Sequence, residues 1–252
     1  TRVVCAVQDP DPRVDGGGLA RLRAAGITVD VGVGAERALR DQAGFLSRVT
    51  RGRPMVTLKL ATTLDGRIAT ASGDSQWITG PTARRHVHAM RARHDAVLVG
   101  AGTVRADDPS LTVRGLGVAR QPVRVVVSGD LDLPRGMTLL QGLPEAPLWF
   151  LHGADAPEGR VAALTEAGAR CLAVRRWADG RPDLVDAFRL LGEAGLTRVF
   201  CEGGGVLAAE MLRADFVDRL DLFTGGAVIG GDGRAALGPL GLQRLVEAPR
   251  FI

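Results

Sequence analysis

The stretch Met55-Val-Thr-Leu-Lys59-Leu-Ala-Thr-Thr-Leu-Asp65-Gly-Arg-Ile-Ala69, continued by Thr-Ala-Ser-Gly-Asp-Ser75-Gln-Trp-Ile-Thr79, decides how the chain is interpreted. Its first part is typical of a strand that ends at an Asp-Gly turn, and its second part is a polar loop closing on Trp77. Lys59 is the only lysine in the chain, and all the other residues counted as Lys or Arg are arginines. A lysine in a strand often extends its ammonium to solvent. Burial shifts the pKa of lysine readily, however, so this isolated lysine is also a candidate for chemistry.

Composition bounds the class of protein before any motif is considered. The chain has 252 residues, of which 46% are hydrophobic and 24% charged, which suits one large domain or two smaller ones. Its formal charge of +4 comes from dispersed arginines, which favours small acidic ligands over nucleic acid. Cys5, Cys171 and Cys201 lie far apart in apolar runs, as buried thiols of a cytoplasmic protein do. No apolar run is long enough for a membrane span.

The order of predicted elements indicates an α/β protein. Residues 1–53 alternate between strands and helices, with one helix predicted over 35–51, and are too few for a complete domain of their own. After Pro54, apolar strands alternate with amphipathic helices as far as Phe223. This pattern predicts a mostly parallel sheet with helices on both faces. Residues 129–147 and 225–241 are rich in Gly and Pro and are predicted to be loops.

Two polar segments follow predicted strands and are candidate ligand sites. Glu202-Gly-Gly-Gly205 stands between a strand and a helix, where backbone N–H groups and a helix N-terminus can hold a phosphate. A tight strand-to-helix turn explains the same residues equally well, and the spacing is not that of a dinucleotide fingerprint. The segment from Gly102 to Pro109, with Arg105 and the nearby Arg114, either meets phosphate or is simply solvated.

Metal binding is not predicted from the sequence. His86 and His88 are two apart on a predicted helix and therefore point in different directions. The chain contains no Cys-x-x-Cys and no His-x-Glu, so the zinc-deaminase signature is absent.

Several motifs together resemble the bifunctional deaminase/reductase family of riboflavin biosynthesis, in particular its reductase domain. They are the residues 56–69, 75–79, 84–85, 91, 102–114 and 202–204. The resemblance covers residue 54 to about 250 and implies a dihydrofolate-reductase-like fold. Residues 1–53 resemble the end of the family's cytidine-deaminase-like domain. The resemblance therefore implies a deaminase remnant at 1–53 and a reductase domain at 54–252 that stops before the family's last strand.

The resemblance also implies an activity. It is the NADPH-dependent reduction of the ribose of 5-amino-6-(5-phosphoribosylamino)uracil to the ribitylamino product, in the cytoplasm and in a homodimer. Zinc would belong only to the missing part of the deaminase domain, so this chain is not expected to deaminate. Partners would be the phosphorylated pyrimidine ribonucleotide and NADPH, without nucleic acid or membrane. Two alternatives are a paralogous pyrimidine reductase for a related nucleotide and a non-catalytic nucleotide-binding module.

Residue roles carried over from the resemblance complete the expectations. Lys59 would lie at the substrate and take part in catalysis. The substrate would further contact Ser75, Arg91, Leu111, Arg114 and Glu202. NADPH would contact Ala61, Trp77, Thr103, Asp107, Ser128, Gly204, Gly205, Val206, Leu207, Ala208, Ala209 and Glu210.

Overall fold

The structure is a computed structural model, and it describes residues 1–143 and 145–251. The chain divides into two compact units. The smaller unit consists of Thr1–Met55 together with Phe188–Thr197, and the larger unit holds the rest of the described chain.

The smaller unit is built on two short parallel strands. They are β1 (Arg2–Cys5) and β2 (Thr28–Val31), accompanied by the helices α1 (Gly17–Ala24), α2 (Ala35–Asp41) and α3 (Ala43–Arg51). The single helix predicted over 35–51 is therefore wrong, because Gln42 leaves the helical conformation at φ −98° and ψ 7°. After this break, side chains of α3 form hydrogen bonds of their own within the smaller unit. Arg48 Nε donates to Gly192 O at 2.8 Å, and Ser47 Oγ donates to Arg53 O at 3.0 Å.

The larger unit contains a sheet of seven strands and a separate two-stranded ribbon. The strands are β3 (Met55–Thr62), β4 (Arg67–Ala69), β5 (Ala96–Gly100), β6 (Val123–Val127), β7 (Leu148–Gly153), β8 (Arg170–Val174), β9 (Arg198–Cys201), β10 (Arg219–Thr224) and β11 (Arg234–Ala235). The helices are α4 (Pro81–Ala92), α5 (Ala101–Asp107), α6 (Thr138–Gln141), α7 (Glu158–Glu166) and α9 (Gly205–Arg213), with a 3₁₀ turn at Leu245–Glu247. The helix α8 (Leu184–Glu193) begins in the larger unit and belongs to the smaller unit from Phe188 onwards.

The strand order of the sheet is β10-β3-β9-β5-β6-β7-β8. β10 is parallel to β3, and the neighbouring strands β9, β5, β6, β7 and β8 are parallel to one another. The predicted mostly parallel α/β sheet is thus confirmed. β6 is buried along its whole length and β5 over all but its last residue. Apart from the buried Arg124 of β6, both strands are apolar, as strands covered on both faces are. Val97, Val126 and Phe150 form the core of this half of the sheet together with Leu139 of α6.

The topology brings several chain segments to one edge of the sheet. Because the strands are parallel, their carboxyl ends lie together, which is where open α/β sheets place ligands. Glu202 directly follows β9, α5 directly follows β5, and Ser128 directly follows β6. β3 lies between β10 and β9, so Lys59 belongs to the interior of the sheet rather than to its edge.

Short elements inside the predicted loops were missed. β4 pairs antiparallel with β11, so part of the loop predicted over 225–241 is a strand. α5 and α6 also lie in segments that the sequence suggests are irregular. Elements of two to seven residues carry too few residues to show a hydrophobic period.

Asp65 fastens the turn between β3 and β4 to the loop that precedes β11. Its carboxylate accepts hydrogen bonds from Thr63 Oγ1 at 2.6 Å, from Gly230 N at 2.6 Å and from Ile229 N at 3.2 Å. The hydrogen bond from Thr63, followed by that from Gly230, lowers the pKa of Asp65 to about 2. The Asp-Gly turn is therefore a structural lock as well as a reversal of the chain.

Replacing Asp65 with Asn is expected to lower the urea midpoint of unfolding near neutral pH, since an amide cannot accept all these bonds. A carboxylate with a lowered pKa stabilises fully above its ordinary value of 3.8 and loses that effect as the pH falls towards 2. The gap between wild type and Asp65→Asn should accordingly narrow between about pH 6 and about pH 2.5. The pKa of Asp11 is also lowered to about 2, by Arg13. Because Asp11 is present in both proteins, its titration does not change the difference between their urea midpoints. A gap of equal size at both pH values would contradict the lock.

Candidate active site

Two adjoining cavities open at the carboxyl edge of the large sheet. We name them the lysine cavity, of about 490 Å³, and the glycine cavity, of about 800 Å³. The residues lining both of them are Ile68, Ser75, Thr103, Asp107 and Gly204. These shared residues form a junction, so a ligand in one cavity can reach a ligand in the other.

An ion pair between Arg91 of α4 and Glu202 after β9 dominates the lysine cavity. Arg91 Nε donates to Glu202 Oε1 at 2.5 Å, and Nη2 donates to Oε2 at 3.1 Å. The remaining arm, Nη1, donates to Thr112 O at 2.9 Å. The two side chains are only 12% and 11% exposed. Such a bidentate, desolvated pair holds the Glu202 carboxylate in one orientation.

Lys59 enters the same cavity from the middle of β3. Burial lowers its pKa, the Glu202 carboxylate acts in the opposite direction, and the Arg91 guanidinium lowers it further. Within the described part of the chain, the Lys59 ammonium forms no hydrogen bond or ion pair. A buried ammonium without a protein partner is available to donate to a ligand.

The segment after α5 brings Leu111 and Arg114 to the cavity. Leu111 is 2% exposed and adopts a positive φ of 56°, which turns the chain back towards α4. The backbone N–H of Arg114 donates to His88 Nδ1 at 3.2 Å. The pKa of His88 is lowered by burial and by Arg91 and Arg114, which keeps its ring neutral and able to accept. The Arg114 guanidinium itself has no carboxylate partner among the residues described, and its side chain is exposed.

The Ser75–Trp77 loop forms the outer wall of the lysine cavity. Trp77 is 68% exposed, and the Arg84 guanidinium stacks on its ring at 4.4 Å from the centroid. A Cβ added at Gly225 would overlap the carbonyl oxygen of Ile78. The position of this loop therefore depends on the close backbone approach that glycine permits after β10.

The three glycines before α9 have different surroundings. A Cβ at Gly203 would lie 2.7 Å from Leu207, and one at Gly205 would lie 2.9 Å from the backbone oxygen of Ala235. A Cβ at Gly204 would meet only Thr103 Oγ1, at an ordinary 3.6 Å. Gly204 N donates to that same hydroxyl at 3.1 Å. Gly204 thus leaves space towards the cavities at a helix N-terminus, which fits the phosphates of a dinucleotide.

The two acidic residues Glu210 and Asp107 of the glycine cavity differ in whether arginines neutralise them. Glu210 of α9 is 7% exposed and is paired with both Arg181 and Arg213. Asp107, at the junction, has its pKa raised by burial. The cavity is therefore lined by the compensated carboxylate of Glu210 and by Asp107, whose side chain is exposed.

The residues predicted for substrate lie together. Lys59, Ser75, Arg91, Leu111, Arg114 and Glu202 all line the lysine cavity. Of the residues predicted for the cofactor, those lining the glycine cavity are Thr103, Asp107, Ser128, Gly204, Gly205, Val206, Leu207 and Glu210. Ala61 and Trp77 line the lysine cavity instead. Ala208 and Ala209 are buried and line neither cavity, because they occupy the core side of α9.

Sequence reasoning missed the residues that loops contribute to the glycine cavity. They include Trp177, Arg181, Pro182, Leu237 and Pro239, and Arg234 of β11 was missed as well. Arg105, which the sequence offered as a phosphate contact, lines this cavity from α5. A tryptophan in a polar loop, the signal used for Trp77, applies equally to Trp177 and is the one local feature that marks it.

Across residues 1–143 and 145–251, no group of three or more His, Cys, Asp or Glu is arranged to hold a metal ion. Among the helices in that part of the chain, none combines the length and apolar character needed to cross a membrane.

Comparisons with known proteins agree with this geometry. The family described as RibD C-terminal domain matches residues 54–251. The chain is 37% identical to the riboflavin biosynthesis protein RibD of Escherichia coli, covering 99% of this chain and 69% of that protein. The chain belongs to the RibD family. The RibD protein of Aquifex aeolicus is 36% identical, over 98% of this chain and 67% of the relative.

Solved RibD structures share the fold over the whole chain. RibD of Acinetobacter baumannii, form 1, superposes with a TM-score of 0.85 at 31% identity, covering 100% of this chain and 68% of that one. The Thermotoga maritima diaminohydroxyphosphoribosylaminopyrimidine deaminase/5-amino-6-(5-phosphoribosylamino)uracil reductase gives 0.82 at 32% identity, covering 100% and 66%. The riboflavin biosynthesis reductase Rib7 of yeast shares the fold at a TM-score of 0.62 and 21% identity, covering 79% and 88%.

Family membership identifies the reductase part of a riboflavin biosynthesis protein. The chain contains the RibD C-terminal domain and is an oxidoreductase of that pathway, in a family that uses a nicotinamide cofactor. The assignment of residues 1–53 to a deaminase remnant stays a prediction, as does the expected lack of deaminase activity.

The two neighbouring glycines provide a matched pair of variants. Gly204→Ala is expected to leave the melting temperature near that of wild type, because its Cβ meets only an ordinary contact. It should raise the Kd of the nicotinamide dinucleotide about tenfold or more, since the methyl group enters the space at the helix N-terminus. Gly205→Ala should instead lower the free energy of unfolding by about 1–3 kcal/mol, because the Ala235 backbone must move. Thermal melts and calorimetric titration with NADPH and NADH measure both effects, and equal behaviour of the two variants would contradict this distinction.

Proposed function

We propose that this chain reduces the ribose of 5-amino-6-(5-phosphoribosylamino)uracil to the ribitylamino product with NADPH. One observation carries the proposal. A cavity that holds an oriented carboxylate, a partner-free lysine and an exposed arginine adjoins a second cavity whose Gly204 leaves space at a helix N-terminus. The Thermotoga maritima relative is named as the reductase of this compound.

The two cavities suggest where each ligand lies. The N-terminus of α9 at Gly204 would hold the dinucleotide phosphates, because its backbone N–H groups and helix dipole favour anions. The nicotinamide end would then lie at the junction beside Thr103 and Asp107, next to the lysine cavity. When bound, the cofactor supplies the reducing equivalent.

Three arginines line the lysine cavity, and substrate recognition divides between Arg91 and Arg114, because Arg84 stacks on Trp77. Arg91 is occupied by Glu202 and by Thr112 O, so its task is to orient the carboxylate. Glu202 retains lone pairs that accept hydrogen bonds from the amino and ring N–H groups of the pyrimidine. Arg114 has a guanidinium without a carboxylate partner in the described chain, and it would bind the 5-phosphate bidentately.

Lys59 is the candidate proton donor. Reduction of the ring-opened ribose imine adds a proton to nitrogen as well as hydride to carbon, so the site needs an acid. Lys59 points an ammonium of lowered pKa into the cavity beside Glu202. We assign it a hydrogen bond to the substrate and delivery of this proton.

The substrate assignment is tested by combining a substrate change with a protein change. Oxidation of NADPH should depend on the phosphorylated substrate, and NADH should support a lower kcat/KM. Arg114→Gln should raise KM for this substrate roughly 10- to 100-fold, because a charged hydrogen-bonding partner of the phosphate is lost. Against the dephosphorylated substrate, Arg114→Gln and wild type should behave alike. Arg85→Gln, which removes an exposed arginine of α4 lining neither cavity, is the matched control.

Two results would overturn this assignment. Indifference of wild type to removal of the 5-phosphate would favour a paralogous pyrimidine reductase. Binding of NADPH without any oxidation in the presence of substrate would favour a non-catalytic nucleotide-binding module.

Lys59 variants test the proton donor. Lys59→Met is expected to lower kcat about 10²- to 10⁴-fold, with little change in the Kd of NADPH. Lys59→Arg should also be slow, because a guanidinium does not release its proton. The donor must be protonated, so wild-type kcat should fall as pH rises through a pKa below the ordinary lysine value of 10.5. Near-normal turnover by Lys59→Arg would exclude this role. It would also be excluded if kcat of Lys59→Met fell with rising pH in the same way as kcat of wild type.

A further inference from the structure

A tryptophan outside every predicted set lies where the far end of a dinucleotide would be. The order of strands along the sheet runs from β3 and β9, which carry Lys59 and Glu202, through β5 and β6 to β8. The lysine cavity lies at the first of these strands, and the junction lies at Thr103 after β5. Trp177 belongs to the segment that follows β8, and it lines the glycine cavity alone.

The segment that carries Trp177 is a built hairpin. Trp177 N donates to Arg181 O at 2.8 Å, Gly180 N donates to Trp177 O at 2.9 Å, and Arg176 bridges to Pro182. These backbone bonds hold Trp177 at a fixed place on the rim of the cavity.

Arg176 ties this hairpin to the carboxyl edge of the sheet. Its Nη2 donates to Gly129 O, directly after β6, at 3.0 Å, and its Nη1 donates to Gly180 O at 2.5 Å. It also pairs with Asp155 and Asp130. The place of Trp177 is therefore determined by the same strand ends that line the cavity.

The charge around Trp177 suits a neutral base. Both arginines of the hairpin are compensated, because Arg176 is paired with Asp155 and Asp130, and Arg181 with Asp179 and Glu210. Pro182 and Leu184 add apolar surface beside the indole. A half-buried indole with compensated charges around it is a stacking surface for a planar aromatic ring rather than a phosphate site.

We propose that Trp177 stacks on the adenine ring of the dinucleotide and forms its adenosine subsite. The inference rests on the proposed use of a nicotinamide dinucleotide. With the nicotinamide at the junction and the phosphates at α9, the adenine is the remaining part of the ligand. Among the described residues that line the glycine cavity, Trp177 is the one aromatic side chain.

The test compares two ligands on matched variants. Isothermal titration calorimetry measures the Kd of NADPH and of reduced nicotinamide mononucleotide, which lacks the adenosine, for wild type, Trp177→Ala, Trp177→Phe and Trp149→Ala. Trp149 lines neither cavity, and its variant controls for loss of an indole. Trp177→Ala should raise the Kd of NADPH about tenfold or more, whereas Trp177→Phe should stay within a few-fold of wild type. The Kd of the mononucleotide should not change in either.

The possible outcomes distinguish a wrong adenosine subsite from a wrong reductase assignment. Unchanged NADPH affinity in Trp177→Ala, with tight binding by wild type, would overturn the adenosine subsite and leave the reductase assignment standing. An equal loss of affinity for NADPH and the mononucleotide would also overturn it, because the variant would then act on the whole cavity. Failure of wild type to bind either NADPH or NADH would overturn the proposed function, and this inference with it.

Discussion

The bidentate pair of Arg91 with Glu202 is the contact on which the rest of the lysine cavity depends. It joins α4 to the end of β9, and through Thr112 O it also holds the segment after α5. Both side chains are nearly buried, so removing one partner would leave an uncompensated charge at a cost of about 3–5 kcal/mol. Leu111, Arg114 and Lys59 line the same cavity as this pair, and the contact with Thr112 O holds the segment that carries Leu111 and Arg114.

The same pair explains why chemically similar residues have different tasks. Arg91 and Arg114 are both arginines of one cavity, yet every arm of Arg91 is engaged and the guanidinium of Arg114 faces solvent. The Glu202 carboxylate raises the pKa of Lys59, but it is paired with Arg91, and the effect of burial remains larger, so the pKa of Lys59 stays lowered. In the glycine cavity, Arg181 and Arg213 neutralise Glu210 in the same way. Charge availability, rather than residue type, separates binding residues from positioning residues here.

The elements predictable from the sequence are those whose own residues carry the signal. The strands β5, β8 and β9 are predictable because each contains an apolar run bounded by polar or glycine residues. β11 was missed because two residues cannot show a period, and its pairing partner β4 is more than 160 positions away. Trp177 was missed for a related reason, since contacts with residues distant in sequence, such as that of Arg176 with Gly129 O and that of Arg181 with Glu210, hold its hairpin at the cavity.

The three glycines after Glu202 show why sequence alone left two interpretations open. A tight strand-to-helix turn and a phosphate cradle both require small residues at this place, and the pattern is the same for either. The structure assigns a different reason to each position. Gly203 and Gly205 are confined by Leu207 and by the Ala235 backbone, so they serve the turn. Gly204 is confined by no protein atom closer than an ordinary contact, so packing does not explain its missing side chain, which fits the proposed phosphate site. The turn interpretation is thus supported at Gly203 and Gly205, whereas the phosphate interpretation at Gly204 stays a proposal, and only the positions of distant segments distinguish the three residues.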